Sequence, residues 1–217
     1  MGSGARRVLG ALLGSSVLSL GLLALRMLVR GEGAGNYGFL AWNLFLAWIP
    51  LLLAVAVVTA WRLGVRIAVA PLFVLWLLFF PNAPYVVTDF VHLGAVGGMP
   101  RWFDVLLLGS FAVTSLALGF VSLYLVQNLI RARHGVAWSW VGAFTAIALS
   151  GVGIYLGRVV QLNSWNVLQP ERLRTALAAG DPWERQHAIL LTMLLTCVLA
   201  AAYALGQHFA ERRTRTA

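Results

Sequence analysis

The sequence predicts an all-α integral membrane bundle of six transmembrane helices with both termini in the cytoplasm. Three observations carry that reading. Apolar residues make up 60% of the chain and charged residues 11%, whereas a soluble domain averages about 45–50% apolar. The apolar residues fall in runs near or above the roughly 20 that cross a hydrocarbon core. Arginines cluster in alternate connections between those runs. Spans and short loops consume nearly all 217 residues, so the chain reads as a single transmembrane domain, with no room for a soluble catalytic one.

Hydropathy places the spans near 8–29, 39–61, 66–80, 104–127, 138–160 and 188–208. The first begins after Arg6-Arg7 and resembles a secretory signal. Its apolar run, Val8 to Leu25, exceeds the roughly 7–15 residues of a cleavable segment. We read it as an uncleaved span.

All sixteen basic residues are arginine, and the net charge is +9. In a soluble domain that balance would point to nucleic acid; here no basic stripe with interleaved aromatics exists, and no nucleic-acid partner is expected. Arg6, Arg7, Arg62, Arg66, Arg131, Arg133, Arg212, Arg213 and Arg215 occupy alternate connections, which belong in the cytoplasm. Six of the seven acids fall in the other connections. Trp61, Trp138 and Trp140 mark one interface and Trp42, Trp102, Trp165 and Trp183 the other. The single cysteine, Cys197, excludes an intrachain disulfide and a Cys-rich metal site. Gly10-xxx-Gly14 and Gly153-xxx-Gly157 have the spacing that lets membrane helices approach closely.

The third span is expected to break at Phe80-Pro81-Asn82-Ala83-Pro84, because each proline removes a backbone donor and restricts the residue before it. The interfacial segment 81–103 follows. At about 100° per residue, Tyr85, Thr88, Asp89 and His92 share one edge of a short re-entrant or interfacial amphipathic helix. Asn43, Asp104, Arg158 and His187 reach the same layer from the second, fourth, fifth and sixth spans, and an outer loop at 161–187 adds Asn163 and Trp165. Polar groups from several segments thus gather near the outer leaflet.

Trp42-Asn43-Leu44-Phe45-Leu46-Ala47-Trp48-Ile49-Pro50, the Phe80–Leu93 run, Trp102-Phe103-Asp104 and Gly157-Arg158 followed by Asn163-Ser164-Trp165 carry a family resemblance. Together they resemble the bacterial membrane proteins grouped as domain of unknown function 1361. The resemblance covers most of the chain from the second span onward and implies a multi-pass protein of the bacterial inner membrane. It implies no activity. The chain departs from the family pattern at Gln161 and Leu162, where an aromatic or basic residue is frequent, and at Asn166, where an acid is.

Three readings of the polar layer stay open. In the first it is structural: Asp89 or Asp104 pairs with Arg158, and asparagines cap broken helices. In the second it is an enzyme site acting on a lipid or envelope precursor, since ionisable groups at membrane depth often mark function. Asp89 and His92 would then be the acid/base pair, or Asp89, His92, Asp104 and His187 would hold a divalent metal. Asn43, Asn82, Tyr85, Arg158, Asn163 and Trp165 would bind a lipid headgroup or lipid-linked substrate. In the third, the broken span belongs to a small-solute transporter. Neither cofactor identity nor oligomeric state follows from these residues.

Overall fold

The computed structural model describes residues 2–30, 37–94, 99–158, 171 and 182–215. Its regular elements are all helical: α1 (Ser3–Arg30), α2 (Phe39–Arg62), α3 (Arg66–Phe79), α4 (Asn82–Tyr85), a 3₁₀ segment (Val86–His92), α5 (Arg101–His134), α6 (Val136–Arg158) and α7 (Pro182–Arg215). Six stretches are long and apolar enough to cross a membrane: Ser3–Val29, Phe39–Arg62, Arg66–His92, Arg101–His134, Val136–Arg158 and Arg185–Arg212. The chain is thus a multi-pass membrane protein, and α5 and α7 extend past the spans that hydropathy assigns.

The residues form two compact units, Met1–Val126 and Gln127–Ala217. In the first unit α1 buries Leu12, Ser16, Ser19, Leu23 and Arg26. Their 4,3,4,3 spacing draws one stripe along a helix. α2 buries Leu40, Leu44, Ala47, Leu51 and Ala54 with the same spacing. Trp48 Nε1 donates to Ser16 Oγ at 3.2 Å, and the Ser19 and Thr114 hydroxyls lie 3.3 Å apart, which ties α1 to both α2 and α5. Gly10 and Gly14 meet open space instead. The close contacts of α1 are made by its serine-bearing stripe, so the small-residue spacing at Gly10 and Gly14 does not mark the packing face.

The chain breaks at Pro81 as expected, yet it stays right-handed helical, with φ −53° and ψ −38° at Phe80 and φ −58° and ψ −24° at Pro81. The local reason is a change of hydrogen-bond partner. Pro84 has no N–H to offer Phe80, so Ala83 N donates to the Phe80 carbonyl at 3.2 Å, three residues back. That leaves the Phe79 carbonyl short of its usual donor, and the Asn82 side chain supplies one at 2.8 Å. Beyond Tyr85 the backbone tightens into the 3₁₀ segment.

This tightening changes which side chains share an edge. Three residues per turn eclipse positions i and i+3, so Asp89 and His92 align with Ala83 and Val86, while Tyr85 and Thr88 lie on another edge. Ala83, Val86 and Asp89 are buried accordingly, and Thr88 Oγ1 donates to the Tyr85 carbonyl at 2.7 Å. The single polar edge expected from α-helical spacing is therefore split in two.

α2 packs along α3, α4 and the 3₁₀ segment. α5 meets the same elements in order: Trp76 Nε1 donates to Ser122 Oγ at 3.2 Å, Ala83 sits against Gly119, and Phe90 lies near Gly109. Contacts that step from 122 to 109 on α5 as the third segment advances from 76 to 90 describe one interrupted helix running antiparallel to α5.

In the second unit α6 packs on α7, with Gly151 facing Thr196. Thr192 and Thr196 bond back to the carbonyls of Ala188 and Thr192, each at 2.7 Å, as residues with a spare hydroxyl do in apolar helices.

A Cβ at Gly119 would lie 2.8 Å from the Ala83 Cβ. Gly119→Ala is expected to destabilise the protein by about 1–3 kcal/mol through overpacking. Reversible unfolding in mild detergent checks this; an unchanged midpoint would contradict the close approach of α5 to the proline-bounded turn.

Candidate functional site

The first unit concentrates its polar groups where the end of α1, the turn before α2, the 3₁₀ segment and the start of α5 meet. Arg26 Nε lies 2.8 Å from Asp104 Oδ1, and its Nη2 lies 3.4 Å from Oδ2. This side-on pair is almost sealed, with side chains 5% and 2% exposed. The Arg26 guanidinium also sits 4.3 Å from the centroid of the Tyr37 ring. Tyr37 in turn donates its phenol to the His92 carbonyl at 2.9 Å. The His92 ring packs at 4.9 Å on Phe39, the first residue of α2.

Beside this chain of contacts is a second buried pair. Asn43 Nδ2 donates to Asp89 Oδ2 at 2.8 Å, with Asp89 only 1% exposed. Asn43 lies one turn into α2, so the bond fixes the 3₁₀ segment to the helix that also packs along α3. A carboxylate taken from water is costly unless it is hydrogen-bonded or paired. Asp104 meets that demand through an arginine, and Asp89 meets it at Oδ2 through an amide.

The structural reading offered Arg158 as a partner for Asp89 or Asp104; the residue that meets Asp104 is Arg26. Sequence reasoning missed Arg26 and Tyr37. The signal for Arg26 lay in α1: it is the last member of the Leu12, Ser16, Ser19, Leu23, Arg26 stripe, and an ionisable side chain on the packed face of a span calls for a partner. Tyr37 carries no such periodic mark, being placed by the turn before α2.

Asn82 repairs the backbone at the proline turn. Tyr85 is half-buried and off the Asp89 edge. Arg158 ends α6 and His187 lies in the first turns of α7, both in the second unit. His187 is exposed, with Nδ1 2.8 Å from the Trp183 carbonyl and its ring 4.3 Å from the Trp183 ring. Asn163 and Trp165 lie outside the described residues. Among the described residues, no three His, Cys, Asp or Glu side chains are grouped as a metal-ligand set.

The second unit has a polar chain of its own. Tyr203 donates to Gln127 Oε1 at 2.6 Å and accepts from Gln207 Nε2 at 3.1 Å, with Trp140 edge-on to its ring. Near the same end of these helices Arg131 meets Glu211 at 3.2 Å, an exposed pair that contributes little.

The family model described as protein of unknown function (DUF1361) matches residues 42–201. The chain belongs to the DUF1361 family. No curated protein and no solved structure matches it. In this DUF1361 protein the matched stretch holds Asn43, Asp89, His92 and Asp104, whereas Arg26 and Tyr37 precede it. The ion pair therefore joins the N-terminal helix to the family region.

Breaking a buried ion pair from one side leaves an uncompensated charge, at a cost of about 3–5 kcal/mol. Asp104→Asn and Arg26→Gln should each lose stability on that scale, and the double variant should lose much less than their sum. A double-mutant cycle in detergent checks this; additive losses would contradict the pairing. Tyr37 gives a pH signature. Burial foremost, then the Asp104 charge, pushes its phenol above the ordinary value, with Arg26 pulling it back. A raised folded value means that the phenol's contribution is whole below about pH 10 and lost as pH rises through the folded value. Tyr37→Phe should abolish that alkaline loss and cost about 1 kcal/mol at neutral pH, read from unfolding midpoints across the alkaline range.

Proposed function

We propose that the polar layer of the first unit is a structural clasp near the outer leaflet of a bacterial inner membrane, with both termini in the cytoplasm. The observation that carries this reading is the Arg26–Asp104 pair capped by Tyr37, whose phenol reaches the His92 carbonyl. Three contacts hold four chain segments together, and the helix they restrain is the one interrupted by proline. Such an interruption weakens a span's own hydrogen bonding, and interhelical polar contacts compensate for it in lipid. The clasp keeps the 3₁₀ segment in register and presents Asp89 and His92 on a common edge.

That common edge supports a second reading, in which Asp89 and His92 act as an acid/base pair on the headgroup of a lipid or envelope precursor. Asp89 takes no part in the Arg26–Asp104 pair, and Asn43 orients its carboxylate. A carboxylate so held can pass a proton to a neighbouring group in a water-poor site.

Two measurements test these readings. In a Cys197→Ser background, Arg101→Cys should react with an impermeant maleimide added outside intact cells, and Ala132→Cys only after lysis. Labelling of both from one side would overturn the orientation. For the acid/base reading, Asp89→Asn keeps an acceptor for the Asn43 amide. Lipids extracted from cells expressing this variant should lack a species that the wild type produces, at equal protein level and unchanged melting. Identical lipid profiles remove the enzyme reading and leave the clasp.

A further inference from the structure

The charge of the first unit is divided between its two ends. Among its described residues the carboxylates are Asp89 and Asp104, and both are held at the end where α2 begins, by Asn43 and Arg26. α1 and α2 run antiparallel, since Arg26 meets Tyr37 while Ser16 meets Trp48. Arg6 and Arg7 are thereby placed toward the same end as Arg62 and Arg66, and all four are exposed. Arg62 lies nineteen residues beyond Asn43 on α2, roughly 28 Å at 1.5 Å per residue. Across that distance Asp89 offers no counter-charge.

The turn that carries Arg62 and Arg66 is closed by backbone hydrogen bonds. Gly64 has φ +77°, Val65 N donates to the Ala60 carbonyl at 2.9 Å, and Gly64 N donates to the Trp61 carbonyl at 3.2 Å. These are the paired bonds that close a helix with a left-handed glycine. The turn folds Arg66 back so that its guanidinium sits 3.7 Å from the centroid of the Trp61 ring. Stacking fixes the plane of the guanidinium and leaves its edge available for a planar, bidentate acceptor. Tryptophan at the end of a span sits at headgroup level, which is where phosphodiesters are found.

The geometry points to a binding site for the phosphate of an anionic diacyl phospholipid at the α2–α3 turn, with Arg66 on its Trp61 platform and Arg62 as the ligating groups. The acyl chains lie along the exposed apolar side chains next to the turn, Leu63 and Ile67, which are 73% and 88% exposed. Arg26, which has its own carboxylate, takes no part. Because this inference needs only that the chain is embedded in a membrane, it stands apart from the clasp and from any chemistry at Asp89.

Native mass spectrometry of the purified chain, offered equal amounts of phosphatidylglycerol and phosphatidylcholine, tests the site. Phosphatidylglycerol should be retained preferentially. Arg62→Gln and Arg66→Gln should each weaken that retention roughly fivefold, since a basic residue near an anionic headgroup contributes about 1 kcal/mol. Trp61→Leu should weaken it as well, by freeing the Arg66 side chain. Arg131→Gln, whose guanidinium meets Glu211, should leave it nearly unchanged. Equal retention of the two lipids, retention indifferent to Arg62 and Arg66, an equal loss from Arg131→Gln, or full competition by inorganic phosphate would each overturn the assignment. A readout on the unmodified chain guards against variants that do not fold: added salt should erode the preference for phosphatidylglycerol, and a salt-independent preference refutes it.

Discussion

A single ion pair, Arg26 to Asp104, sets the terms for the rest of the first unit. Either charge left alone in the apolar bundle would cost about 3–5 kcal/mol, a large share of what the folding of a small domain returns. Their pairing fixes the end of α1 against the start of α5, and the Tyr37 phenol extends the restraint to the backbone of the 3₁₀ segment. Buried ion pairs are weak sources of net stability compared with well-packed apolar residues. Their value here is registry: the pair defines which turn of α1 meets which turn of α5, a choice that two apolar helices leave loose.

The interrupted third segment shows how a helix with two misplaced prolines can still pass through the bundle. Prolines at 81 and 84 remove two donors, and the chain answers with a tighter bond from Ala83, an amide from Asn82, and a 3₁₀ continuation. The cost of this detour is offset by close packing, since Gly119 lets α5 approach Ala83 and Asn43 meets Asp89 from α2. The consequence for chemistry is indirect but definite. The change from 3.6 to 3.0 residues per turn keeps Asp89 and His92 on one edge and takes Tyr85 and Thr88 off it.

The two ends of the unit are chemically unlike. One holds the buried carboxylates Asp89 and Asp104 against an amide and a guanidinium, and the other carries the exposed Arg62 and Arg66. A bilayer supplies both settings at once: a low-dielectric interior that forces internal pairing, and a headgroup layer that accommodates exposed guanidinium groups beside tryptophan.

The sequence by itself determined the membrane class, the six spans, the position of the break at Pro81 and the family. Each of these follows from composition, run length or a local motif, and needs no knowledge of what packs on what. It also marked Asp89, His92, Asp104 and Asn43 as one polar layer, because ionisable groups are rare in apolar runs and so stand out singly. The pairing among them was decided only by tertiary structure. Asp104 could reach several arginines by sequence, and the choice of Arg26 depends on the rotation of α1, which its buried stripe of Leu12, Ser16, Ser19, Leu23 and Arg26 sets against α2 and α5. The 3₁₀ geometry was equally hidden, since a helical pattern of seven residues does not distinguish a period of 3.0 from one of 3.6. Packing against α2 and α5 supplied that distinction, and with it the separation of Tyr85 and Thr88 from the edge that Asp89 and His92 share.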